Sequence, residues 1–184
     1  MRRTHCPAWR RAAAGTLLSV GLSATVALVA GCGGSPAPAS TPMPAATSGA
    51  AELRVFFVPG GADPCGTVAP VVRKVAGPVT AELVLRELLA GPTNDETAAG
   101  FTSLFGPATA DALLEAAIVD GIARVSLRDL RRVIPNASSS CGSAALLGAL
   151  DATLAQVPGI RAARYSFGGD EAAFYEWLQM SPPD

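Results

Sequence analysis

The chain has 184 residues and a formal net charge of −1, which allows one domain or at most two. Its only histidine is His5, so everything beyond the N-terminal segment lacks an imidazole for general-base or metal chemistry. That excludes Ser–His–Asp and Cys–His triads and most zinc sites.

Arg2, Arg3, Arg10 and Arg11 form a basic n-region, and Ala12 to Ala30 is apolar and small. Val29-Ala30-Gly31-Cys32 follows as a lipobox, so residues 1–31 are expected to be a lipoprotein signal peptide and Cys32 the lipidated residue. A plain membrane-spanning anchor is the other reading of this apolar run. Cleavage before Cys32 leaves ten basic residues against fifteen acidic, formally −5. Such a surface invites neither nucleic acid nor an anionic bilayer. Membrane contact would then come from lipid on Cys32, since two or more acyl chains anchor stably. Thirteen arginines and one lysine, Lys74, read as a GC-rich coding bias.

Residues 32–51 are the lipidated cysteine and a linker rich in Pro, Ala, Ser and Thr. A linker of this composition cannot repay its ordering entropy by burial. Extended, it spans up to roughly 60 Å. Residues 52–184 form the folded domain.

Leu53 to Val58 alternates as a strand with Leu53, Val55 and Phe57 on one face. Val68 to Val75 is a second strand, assigned to an edge because Pro70 lacks a ladder donor. Arg73 and Lys74 read as a solvated edge that discourages strand addition, with a binding surface as the rival reading. Thr80 then caps a helix whose apolar stripe is Ala81, Val84, Leu85, Leu88 and Leu89. Glu82 and Arg86 are placed to pair across one turn. Gly91-Pro92 stops that helix, and Thr93 with Glu96 has capping-box spacing for the next turn.

Asp120-Gly121 is the preferred dipeptide of a two-residue type I′ turn, so Leu114 to Leu127 reads as a hairpin with Val119 opposite Ile122. Its inner face is expected to carry Leu114, Ala116, Ile118, Ala123, Val125 and Leu127. The outer face carries Glu115, Ala117, Val119, Ile122, Arg124 and Ser126, with Glu115 and Arg124 within diagonal reach. Ser143 to Val157 is helical, with Leu147, Leu150, Leu154 and Val157 in one stripe. Ile160 to Phe167 is the last strand, and Glu171 to Gln179 a short helix presenting Phe174, Trp177 and Leu178.

LLAGPT with Glu96 and Gly100, VDGIARVSL at Val119 to Leu127, and DATLAQVPGI at Asp151 to Ile160 occur in that order. Together they resemble the GerMN domain of sporulation and germination proteins, found also in actinobacterial lipoproteins. The resemblance covers roughly Leu53 to Leu178 and departs from the family at Phe101 and at Phe105-Gly106-Pro107. Helix and strand order give an α+β two-layer domain. It is expected to have a mixed or antiparallel sheet of about five strands and two main helices on one face. The resemblance implies docking of the C-terminal tail and a partner at the cell envelope, and leaves self-association open.

Cys65 and Cys141 are the only thiols left once Cys6 is removed and Cys32 is lipidated, and outside the reducing cytosol they are expected to pair. The carboxylate pairs Asp95/Glu96 and Asp170/Glu171 sit where caps belong. No phosphate loop or dinucleotide motif occurs, so no cofactor is expected. The leading reading is a non-catalytic, lipid-anchored interaction domain on the extracytoplasmic face of the membrane. Its candidate surface is Val119, Ile122, Arg73 and Lys74. The rivals are a carboxylate-dependent enzyme or binder acting on cell-wall glycan, and small-ligand capture beside Phe56, Phe101, Phe105 and Trp177.

Overall fold

The structure is a computed structural model that describes residues 49–62, Cys65 and residues 67–183. The expected signal peptide, Cys32 and nearly all of the expected linker lie outside the described residues. Elements follow in the order β1 (Ala50–Phe57), β2 (Ala69–Ala76), α1 (Ala81–Leu89), α2 (Asn94–Ala98), β3 (Leu113–Val119), β4 (Ile122–Leu127), α3 (Ser140–Leu154), β5 (Ala162–Phe167) and α4 (Glu171–Trp177). The fold is α+β, as the sequence implies. Its five strands are divided between two sheets, an antiparallel pair β1-β2 and a three-stranded sheet ordered β3-β4-β5.

Side chains explain why the strands do not join in one sheet. Gln156, just past α3, lays its amide along β1 as a strand would. Its Oε1 accepts from Arg54 N–H at 2.7 Å, and its Nε2 donates to Arg54 C=O at 2.5 Å. Thr153 Oγ1 accepts from Phe56 N–H at 3.2 Å. These groups occupy backbone positions of β1 that another strand would otherwise pair, which also protects the edge.

The core lies between the sheets and the α1/α3 pair. β1 contributes Leu53, Val55 and Phe57, and α1 contributes its whole expected stripe, all buried. Thr80 Oγ1 caps α1 by accepting from Leu83 N–H, and Glu82 pairs with Arg86. Both halves of the Thr93/Glu96 capping box form. From α3, Leu146, Ala149, Leu150 and Leu154 join the buried core cluster, while Leu147, expected in the stripe, is only half-buried. A disulfide joins Cys65, after β1, to Cys141 in the first turn of α3.

The hairpin register holds Val119 opposite Ile122, and Asp120 and Gly121 both have positive φ, as a type I′ turn requires. One end of the hairpin departs from expectation. A bulge between Leu113 and Glu115 puts an extra residue into β3, so Leu113 rather than Leu114 faces Leu127. Leu113 is buried and Leu114 is 59% exposed. β5 runs parallel to β4, a connection α3 makes possible by crossing over.

Candidate interaction surface

The two basic residues singled out on β2 point to opposite faces, because strand side chains alternate. Lys74 is exposed, as a solvated edge requires. Arg73 turns inward, with only 11% of its side chain accessible. Its Nε and Nη2 grip both oxygens of Glu96, at 2.9 and 2.6 Å. Nη1 donates to the carboxylate and the carbonyl of Glu87, and Nη2 donates to Gly91 C=O. The guanidinium also lies 5.4 Å from the centre of the Phe57 ring. Arg73 thus ties β2 to the C-terminal end of α1, where carbonyls lack helical partners, and to the capping box of α2. Hydrogen bonding from Arg73 holds Glu96 below the usual carboxylate range. Burial alone would lower the Arg73 pKa; the hydrogen bonds and charges of Glu96 and Glu87 outweigh it, and the net shift is upward. The solvated-edge expectation therefore holds for Lys74 and is corrected for Arg73.

Val119 and Ile122 close the hairpin beside the turn. Arg161 braces that turn, its N–H donating to Gly121 C=O and its Nη2 to Asp120 C=O, both at 2.7 Å. Val119 is 45% exposed and Ile122 half-buried on the outer face. Ile118, expected to be covered on the inner face, lies on the opposite side and is also 45% exposed, a correction to that expectation. The C-terminal aromatics do not cover them. Phe174 and Trp177 pack against Phe167, with ring centres 5.2 Å apart in each case. Phe105 belongs to the core and Phe101 packs against it, as expected of aromatics that line no pocket.

The register sets Arg124 beside Arg164 and Ser126 beside Ser166 on one face of the three-stranded sheet. With Glu115, Val119 and the Gly168-Gly169 turn they line a shallow concavity of about 400 Å³. Arg164 reaches Glu171 at 3.5 Å. The expected diagonal pair of Glu115 with Arg124 does not form, and among the described residues Arg124 enters no ion pair. The adjacent carboxylates serve local structure. Glu96 completes its capping box, and Asp170 caps α4 by accepting from Ala173 N–H at 2.9 Å.

A second, larger cleft, absent from the sequence reading, is bounded by Leu147, Asp151, Ile160, Tyr165, Tyr175 and Met180. Within it the Tyr165 hydroxyl donates to Asp151 Oδ1 at 2.5 Å. No group of three or more potential metal ligands occurs among the described residues, and none of their helices is long and apolar enough to cross a membrane.

The molecule is therefore a small two-layer α+β domain whose three-stranded sheet leaves one face open. The chain belongs to the Germane, or GerMN-type, family: the family model described as "Germane: Sporulation and spore germination" matches residues 54–172. No curated protein matches it. Among solved structures it is similar to the tandem GerMN domains of the sporulation protein GerM from Bacillus subtilis. The identity there is 16% and the TM-score 0.48, over 71% of this chain and 43% of that one. It thus spans less than half of that tandem structure. A second similar structure is named "Putative Lipoprotein from Clostridium perfringens", at 23% identity and a TM-score of 0.37, over 66% of this chain and 77% of that one.

Proposed function

We propose that this chain is a non-catalytic interaction module, lipid-anchored at Cys32 on the extracytoplasmic face of the membrane, that docks a protein partner of the cell envelope. The observation that carries the reading is the open face at the hairpin end. There Val119 stays 45% exposed beside its half-buried cross-strand partner Ile122 on the outer face of the hairpin. Apolar side chains left together at a surface are candidate contact spots. The lipobox and the linker support the placement, because they would hold the domain on a tether reaching up to roughly 60 Å from the bilayer.

The test is a paired substitution, Val119→Asp with Ile122→Arg, in cells that express the full chain. The variant is expected to fold, since neither side chain is in the fully buried core, and to lose its crosslinked partner. A variant that keeps the partner sinks the assignment of this face. Turnover of wall fragments by the purified protein, abolished by changing one carboxylate, would overturn the non-catalytic reading.

A further inference from the structure

We propose that the cleft between α3, the start of β5 and the segment after α4 binds a protonated alkylamine, with the ammonium on Asp151 and the carbon arm along Leu147, Ile160 and Met180. The cleft holds about 480 Å³, within the range of small-ligand sites. Leu147 and Asp151 of α3 and Ala155 at its C-cap line it at four-residue steps, so one helix face builds that wall. Ala163 and Tyr165 of β5 form the second wall, and Tyr175 with Met180 the third.

The chemistry of the lining is one-sided. It is mostly apolar and aromatic, and among the described residues Asp151 is its one carboxylate. Asp151 enters no ion pair among the described residues, and its one side-chain hydrogen bond is the phenol of Tyr165 on Oδ1. Among the described residues Oδ2 has no hydrogen-bond or ion-pair partner. Tyr165 itself is buried, so the bond fixes the carboxylate from below and cannot be exchanged freely for water.

The charged groups around the site do not neutralise it. Arg161 also lines the cleft; its Nη2 donates to Asp120 C=O at the hairpin turn and it makes no ion pair with Asp151, although it keeps its charge. The residue Asp151 as a whole stays exposed, yet its carboxyl is desolvated enough for burial to raise its pKa, against the hydrogen bond from Tyr165. No cation contributes to that balance. Burial likewise raises Tyr165 and Tyr175, so both phenols face the site neutral. A cation brought to Oδ2 would give the Asp151 carboxylate the charge partner it lacks among the described residues, and the tyrosine rings would add a favourable quadrupole. An anion would meet the carboxylate, and a purely apolar ligand would leave it unpaired.

An alkylammonium comes either from a free amine or from a lysine side chain of a peptide, and the probes separate these sources. Binding to the full chain in neutral detergent is measured by calorimetry with n-butylammonium, Nα-acetyl-lysine methylamide and n-butanol. Butylammonium is expected to bind at least tenfold more tightly than butanol, the scale of a charge-assisted hydrogen bond. Asp151→Asn is expected to remove that preference and leave butanol unchanged. Met180→Ala, at an exposed residue, should weaken both ligands. Affinity for the cation should rise with pH as the Asp151 carboxyl ionises. Tighter binding of the lysine derivative assigns the site to a peptide, and tighter binding of butylammonium to a free amine. Equal affinity for butanol and butylammonium, an unchanged preference in a folded Asp151→Asn variant, or no heat from any probe overturns the proposal.

Discussion

Replacing Arg73 by Met should unfold the domain more readily than any other single change on β2. The substitution keeps the volume of the side-chain stem but removes five hydrogen bonds to Glu96, Glu87 and Gly91. Summing those bonds would overshoot, because the lost contacts are partly replaced by water. The better guide is the cost of breaking a buried pair and leaving its carboxylate behind, about 3–5 kcal/mol. Glu87 is one-third accessible and recovers hydration, whereas Glu96 is 12% accessible and does not. The lower end, about 3 kcal/mol, is therefore expected. In urea, with a slope of about 1.5 kcal/mol/M, that moves the midpoint down by about 2 M. Arg73→Lys keeps the charge but loses the fork, and should fall about halfway. The pH dependence supplies a second readout. Glu96 has a depressed pKa in the folded state, so its contribution is present above the unfolded-state value and is lost as pH falls through the folded one. Wild type should lose stability over that acidic window, and Arg73→Met should lose less. A midpoint shift below about 0.3 M, or the same acid profile in both proteins, would refute the assignment of Arg73 as the tie between β2, α1 and α2.

Reducing the Cys65–Cys141 bridge, which closes a separation of 76 residues, should cost about 4 kcal/mol in the chain-entropy model; two alkylations of the mature protein before reduction would show that no bridge forms. Gln156→Ala should cost about 1–2 kcal/mol by stripping Arg54 of both backbone partners, read as a lower thermal midpoint. Cys32→Ala should leave the precursor uncleaved by the lipoprotein peptidase and release any matured form to the medium; unchanged fractionation and size would contradict lipidation.

Elements with strong local signals were legible in the sequence. Thr80, Gly91 and the Thr93/Glu96 box punctuate α1 and α2 as read, because caps are local chemistry. Asp120-Gly121 set the hairpin register for the same reason. What the sequence hid was long-range. The bulge at Leu114 has no glycine to mark it, so strict alternation put Leu114 inside. Gln156 looks like an ordinary helix-end polar residue until its amide is seen bonded to Arg54, 102 residues away. Arg73 beside Lys74 resembles a solvated pair, and only the fold brings Glu87 and Glu96 to it. Of the candidate surface, Val119 and Ile122 could be found from hairpin register alone. The Asp151–Tyr165 contact depends on α3 crossing to a parallel β5, which no local pattern encodes.

The most direct test of the proposed role is photo-crosslinking in intact cells. A photoreactive phenylalanine analogue replaces Val119 in the full chain, with the same analogue at Ala98, an exposed position on α2, as the control. If the open hairpin face docks a partner, position 119 should give a discrete adduct that Ile122→Arg abolishes while the protein stays folded, and position 98 should give none. Equal labelling from both positions, or an adduct at 119 that survives Ile122→Arg, would contradict docking through this face.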